Sequence, residues 1–296
     1  MQDYTKEYNV IKEFSIEGEP VSIAPYGEGH INSTFLAETT RGKYILQRIN
    51  TVVFKNPENV MNNILQVTEF IKKKGAVTLN VVKTLTGESM LKTADGCYRV
   101  YDFIDNSLTL QKAETPEVFE NAGFSFGEFQ KLLSDFDASI LFETIERFHD
   151  TPNRFENFKK SVMANKSGRL DLCKKEVEFV FERKDTYGKI VNALEEKTIP
   201  LRVTHNDTKL NNILMDPVTL KGKAVIDLDT VMPGSMLYDF GDAIRFGAST
   251  APEDEKDLSK VHFDIELFKS YAKGFCSALG DSITEAEKNL LPYSAY

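Results

Sequence analysis

Between His205 and Asn212 the chain reads HNDTKLNN and then turns at once to the apolar run ILM. Polar crowding that ends on an apolar run is the pattern of a loop that presents side chains and is anchored by a buried strand. Asp207 and Asn212 supply oxygen atoms there, and Asp227 and Asp229 supply more in VIDLD, fifteen to seventeen residues beyond Asn212. Such oxygens are hard ligands. Mg²⁺ prefers a few of them, with room left for water and for phosphate.

The intervening segment decides whether they meet. ILM and AVI flank Asp216-Pro217 and a turn closing at Gly222, so 213–216 and 223–227 are expected to pair as an antiparallel hairpin. The start of one strand then lies beside the end of the other. That brings Asn212 next to Asp227, with Asp207 close by on the preceding loop. An Asp, an Asn five residues later and a metal-binding Asp after a hairpin match the layout of kinase catalytic loops. Here it reads His205-x-Asp207-x₄-Asn212, then Asp227, with Asp229 as a helper. A literal DFG at Asp239–Gly241 invites a different metal ligand, but it follows the Pro233-Gly234 turn and opens an amphipathic stretch. Asp239 is therefore expected to cap a helix, with a structural role.

The elements that must position this loop fall into two groups. VSIAPYG, INSTFLAET and KYILQRI alternate as strands, with a turn at Arg41-Gly42. A helix is expected over 57–74, with Pro57 early, Val60, Ile64, Val67 and Ile71 at helical spacing, and Gly75 as stop. Further strands are expected around 77–84 and 97–104. From Thr115 the periodicity becomes helical: Phe119, Ala122, Phe126, Phe129, Leu132 and Leu133 mark one face. Helices are expected at 155–165, 172–196, 239–247, 264–279 and 284–291, around a short β region after Pro200. The pattern implies an α+β fold of two lobes, protein-kinase-like: a small antiparallel β-sheet lobe with one helix (1–105) and a larger helical lobe (106–296). Ligands favour the cleft between two such lobes.

With these residues in place the chain resembles the aminoglycoside phosphotransferase-like small-molecule kinases, and among them most the bacterial N-acetylhexosamine 1-kinases. The resemblance runs from YGEGHINSTF through LQRIN and VTHNDTKLNNILMD to VIDLDTVMPGSMLYDFGDAIRFG. It implies ATP as donor, Mg²⁺ as cofactor and phosphorylation of the anomeric hydroxyl of GlcNAc or GalNAc. By the same analogy Asp207 is the base, and Asn212 and Asp227 hold Mg²⁺. Lys209, inside this loop, is expected to neutralise the transferring group, and His205 is expected to shape the loop and not to act as the base. Members of that family continue past LPYSAY with helices that contribute to the sugar pocket, so this chain is expected to be shortened there.

Other positions follow from the kinase layout. Gly27 and Gly29 sit between two strands, where glycine lets backbone N–H groups approach phosphates, with His30 and Asn32 as further contacts. The strand that should carry the nucleotide lysine offers Gln47 or Arg48 instead, and strand parity leaves the choice open. Glu58 and Glu69 are both available as its brace. The strand CYRVYDFID is the expected hinge, with backbone around Asp102–Ile104 against adenine. His149 and Asp150 are read as a helix end and its cap, and Arg245 either as a contact to sugar or phosphate or as a solvated helix residue.

Bulk properties exclude several classes. Acidic residues exceed basic ones, 45 against 36, for a net charge of −9, which argues against nucleic-acid or anionic-membrane partners. No apolar run is long enough for a membrane span, and the N-terminus lacks a signal core, so a cytoplasmic location is expected. Cys97, Cys173 and Cys276 are widely spaced, as expected of thiols in a reducing compartment. The oligomeric state is left open. Rival readings are a same-fold kinase for choline, homoserine or an aminoglycoside, and a nucleotide-binding regulator without catalysis, which the missing lysine would favour.

Overall fold

The computed structural model describes residues 4–27, 31–251 and 255–295. Helix α1 (Thr5–Ile11) precedes β1 (Pro20–Pro25), β2 (Ser33–Thr39) and β3 (Lys43–Ile49). Helix α2 (Pro57–Lys73) is followed by β4 (Val81–Val82), β5 (Leu91–Thr93) and β6 (Gly96–Asp102). The strands form one antiparallel sheet in the order β1-β2-β3-β6-β4, with β5 also on β6. Register settles which side chains share a face: Gln47 lies opposite Arg99 and Arg48 opposite Tyr98. Helix α2 buries Val60, Met61, Ile64, Val67 and Ile71, as the spacing requires. The strand expected at 77–84 shrinks to Val81–Val82, and β5 is an addition that the sequence pattern did not announce.

Beyond the sheet come α3 (Pro116–Leu132), α4 (Thr151–Ala164), α5 (Lys174–Glu182) and α6 (Lys189–Glu195). Next are β7 (Arg202–Thr204), the hairpin β8 (Ile213–Met215) and β9 (Gly222–Val225), β10 (Met232–Gly234), α7 (Met236–Gly247), α8 (Ile265–Leu279) and α9 (Glu285–Leu290). The helix expected over 172–196 is broken at 183–188, where Asp185, Thr186 and Gly188 are poor helix formers. Helix α4 starts before 155 because the Asp150 carboxylate accepts from Asn153 N at 2.9 Å and Pro152 occupies the first turn.

Helices α3 and α8 lie unusually close. A Cβ on Gly123 would sit 2.3 Å from the Tyr271 carbonyl oxygen, and one on Gly274 2.0 Å from that of Glu120. Glycine at both contacts lets the backbones touch. One hydrophobic cluster runs through both groups of elements, from Ile64 and Val67 of α2 to Phe126, Ile213 and Phe240. The connecting segment after β6 is stitched to β8 by Leu108 and Met215, which exchange backbone hydrogen bonds of 2.9 and 2.8 Å. Among the described residues, no helix is long and apolar enough to cross a membrane.

Candidate functional site

The loop 205–212 leaves β7, which pairs with β10 through Thr204 and Met232. Its course is fixed by Asp239, which is fully buried in α7. The Asp239 carboxylate accepts from His205 N at 2.9 Å, Asn206 N at 2.8 Å and the Gln130 side chain at 2.7 Å. Burial pushes its pKa up, while His205 and these three donors pull the other way. The expected helix cap is thus corrected: Ser235 caps α7, accepting from Leu237 N, and Asp239 anchors the loop. Thr208 adds a hydroxyl bond to the Asp239 carbonyl at 2.6 Å and its N–H to Asp242 at 2.9 Å.

His205 is wholly buried, with its ring edge-on to Phe126 and Phe129. Its Nδ1 accepts from Asp207 N at 3.3 Å, which places the proton on Nε2 facing the Ile226 carbonyl at 2.8 Å. His205 therefore ties the loop to the end of β9.

The structure brings Asp207 and Asn212 together. The Asn212 amide nitrogen donates to the Asp207 carbonyl at 2.8 Å and to its carboxylate at 3.0 Å, which orients the amide oxygen away from Asp207. Ile226 N donates to the Asn212 carbonyl at 2.9 Å, so Asp227 leaves β9 directly beside Asn212. Asp227 has the left-handed φ of +57°, a conformation a non-glycine residue keeps only when its surroundings impose it. Asp227 as a residue is exposed, yet its carboxylate is closely surrounded by protein. Burial, then Asp229, with a smaller push from Asp207, moves its pKa up to about 6 against the pull of Arg99 and His205. Among the described residues it accepts no side-chain hydrogen bond.

That donor set fits a small hard cation. An unneutralised carboxylate stands next to an amide oxygen whose nitrogen is already engaged. Among the described residues no three His, Cys, Asp or Glu side chains converge, so the set is sparse, as Mg²⁺ prefers. Lys209 Nζ lies 3.5 Å from the Asp207 carboxylate and over the Phe246 ring.

The sheet side corrects several expectations. Arg48 points to the far face, where it bonds the Asp95 carbonyl beside Gly96, so it does not reach the cleft. Gln47 faces inward but does not stand alone. Its side-chain oxygen accepts from Arg99 Nε at 3.0 Å and Nη2 at 2.8 Å. Arg99, 1% exposed, extends its Nη1 to Asp229 at 2.5 Å. The other Asp229 oxygen accepts from the Asn32 amide at 2.7 Å. Asp229, expected as a metal helper, is instead engaged by Arg99 and Asn32, and Asn32 links the β1–β2 connection to this turn. Glu58 pairs with Lys92 on β5 and so does not brace a nucleotide cation.

At the hinge, Asp102 N donates to the Asn80 carbonyl and Phe103 N to that of Lys43, both at 3.1 Å. Asp102 N is therefore spoken for, and Ile104 N–H is the donor left without a backbone partner among the described residues. Gly27 has φ +76° with open space where a Cβ would stand. Gly29 and His30 lie outside the described residues.

Two cavities flank the loop. One of about 510 Å³ opens between Gln111, Phe119, Leu210, Arg245 and Phe246. Arg245 bonds Asp242 at 3.0 Å, one step from Thr208. The other, about 220 Å³, is lined by Phe148, His149, Asp150, Asn206 and Tyr238. His149 stacks on Tyr238 at 4.3 Å, and burial brings its pKa down to about 4.

Residues 22–271 match the phosphotransferase enzyme family, APH. The chain belongs to that family. It is accordingly a phosphotransferase with a hydroxyl acceptor, and kinases of this family use ATP with Mg²⁺. An aminoglycoside phosphotransferase from Alicyclobacillus acidocaldarius shares the fold with a TM-score of 0.67 at 13% identity, over 96% of this chain and 80% of that one. The microcompartment-associated aminopropanol kinase superposes with a TM-score of 0.62 at 17% identity, covering 99% and 85%. Spectinomycin phosphotransferase, solved with ADP and spectinomycin, gives 0.57 at 14% identity, covering 99% and 84%.

The sequence reading missed Arg99 and Asn63. Both carried a signal: a cation inside an apolar strand, and an amide on the apolar stripe of α2.

Proposed function

We propose that this phosphotransferase transfers the γ-phosphoryl group of ATP to the anomeric hydroxyl of an N-acetylhexosamine, GlcNAc or GalNAc. In this reading residues 1–105 bind the nucleotide and 106–296 carry the catalytic and acceptor groups. The observation that carries it is the Asp207–Asn212 contact at 3.0 Å with Asp227 leaving the adjacent strand.

Asp207 orients the acceptor hydroxyl and takes its proton as the bond to phosphorus forms. Asn212 fixes that carboxylate through its nitrogen and leaves its oxygen, with Asp227, to hold Mg²⁺. At that position Mg²⁺, when bound, would supply positive charge against the nucleotide phosphates. Lys209, beside Asp207, offsets negative charge on the transferred group. Ile104 N–H is the donor for adenine.

Support for a neutral sugar comes from the cavity beside Asn206. It has the stacked His149–Tyr238 pair, Phe148 and, among the described lining residues, one carboxylate, Asp150. A polycationic aminoglycoside would call for a more acidic groove. A small amino alcohol is the second reading, favoured by the same aromatic wall beside Asp150. ADP release measured across GlcNAc, GalNAc, aminopropanol, ethanolamine, choline and aminoglycosides separates them, and turnover on amino alcohols alone would replace the sugar reading. Asp207→Asn is expected to preserve ATP binding and reduce turnover by roughly 10³-fold or more. Near-normal turnover of that variant would remove Asp207 from its role.

A further inference from the structure

In protein kinases a third-strand lysine, paired with a helix glutamate, must be in place for phosphoryl transfer. Here the third strand holds Gln47, and Glu58 is engaged elsewhere. We propose that Arg99, on the neighbouring strand, is the positioning residue that replaces this pair: a buried cation that clamps the Asp227–Asp229 turn against the sheet. The inference rests on Asp227 being a ligand of the nucleotide's cation.

The geometry is over-determined. The Gln47 amide nitrogen donates to Thr34 Oγ1 at 3.0 Å, so its oxygen must face the guanidinium, which meets it with Nε and Nη2. Nη1 lies 2.5 Å from an Asp229 oxygen as an ion pair and 4.0 Å from the Met61 sulfur, and the guanidinium lies 5.2 Å from the Tyr101 ring centroid. Two hydrogen bonds to the Gln47 oxygen and a charge contact to Asp229 come from one planar fork, a shape that a lysine at position 99 lacks. The second Asp229 oxygen is held by Asn32, and the Asp229 carbonyl by the Thr144 hydroxyl at 3.4 Å. Asp229 is therefore fixed from the sheet, from the β1–β2 connection and from the helical lobe. Two residues earlier stands Asp227 in its left-handed conformation, and the pinned Asp229 supplies the restraint that conformation needs. Arg99 is too enclosed to grip a phosphate, so its action passes through Asp227.

Cross-strand partners reach the same place, so a cation moved from Arg99 to position 47 would approach Asp229 from the opposite strand. The test is calorimetric and needs no acceptor: Mg·ADP, and ADP with excess EDTA, are titrated into the full chain. Arg99→Met alone would leave Asp229 buried and unpaired, so Arg99→Met/Asp229→Asn is the main variant because it removes both charges. Weakening of Mg·ADP by roughly 10- to 100-fold is expected, the range for residues that orient metal ligands, with metal-free ADP unchanged. Gln47→Lys/Arg99→Met, which retains Asp229, is expected to recover most of the Mg·ADP affinity. Equal weakening of both titrations, or no weakening of either, overturns the proposal, as does a swap variant no better than Arg99→Met/Asp229→Asn. Should Asp227→Asn keep the full Mg²⁺ advantage, the metal reading of Asp227 has failed, which is a separate result.

Discussion

Replacing Asp239 by asparagine alters one atom and is expected to unsettle the whole catalytic loop. Both carboxylate oxygens face only donors: Asn206 N at one, His205 N and Gln130 Nε2 at the other. The new amide must point its NH₂ at one of these sets. The less costly choice faces Asn206, which loses a charge-assisted hydrogen bond of about 1.5–3 kcal/mol and leaves a buried donor unpaired for about 1–3 kcal/mol more. Gln130 cannot flip freely to help, because its Nε2 also donates to the Val203 carbonyl at 2.9 Å. Relief from burying a charge, visible in the raised Asp239 pKa, offsets part of this. A net loss of about 3 kcal/mol remains, equivalent to a drop in melting temperature of roughly 6 °C. If the loop relaxes to recover that energy, turnover falls by about 100-fold with little change in KM for ATP. Scanning calorimetry and steady-state ADP release read both quantities. A variant with wild-type melting temperature but an altered Mg²⁺ requirement would refute the anchoring role and revive Asp239 as a metal ligand.

His149 links stability to pH. Its folded pKa of about 4 lies below the ordinary 6.5, so between those values the unfolded chain binds more protons. Stability should therefore fall as pH drops from about 6.5 towards 4, by about 3 kcal/mol at most, and His149→Gln should flatten that limb in urea titrations. An unchanged limb would mean that the ring is accessible to protons in the native state. Arg202 and Glu287 form a buried pair with contacts of 2.6 and 2.9 Å that ties β7 to α9. Arg202→Met should cost roughly 3–5 kcal/mol by stranding the carboxylate, whereas Arg202→Met/Glu287→Met should recover most of it. Equal urea midpoints for the two variants would contradict this.

The meeting of Asp207 with Asn212 was legible because its logic is local. The spacing from Asp207 to Asn212 and one hairpin are enough to bring Asp227 near. The strands expected at 213–216 and 223–227 nevertheless form at Ile213–Met215 and Gly222–Val225, with a register shift after Leu214 that the apolar runs do not encode. The sheet side was not, because strand parity becomes meaningful only once the partner strand is known. Gln47 and Arg48 are indistinguishable until β6 sets Arg99 opposite the former. Asp239 was misjudged as a cap for a related reason. Its three donors come from α3 and from a loop more than thirty residues earlier, contacts that no helix-start pattern encodes. The break between α5 and α6 stood in plain view in Asp185, Thr186 and Gly188, but the flanking hydrophobic periodicity masked it.

Asn63 carries a consequence for regulation. Set in α2 and 1% exposed, it donates to the Phe142 and Val231 carbonyls at 2.8 and 2.9 Å and accepts from Phe142 N at 2.9 Å. Rotating α2 outwards would break these three bonds, and the Val231 carbonyl, if it stayed buried and unpaired, would cost about 1–3 kcal/mol. Asn63 therefore pins α2 to the segments at Phe142 and Val231, and an outward swing of this helix carries that cost in full.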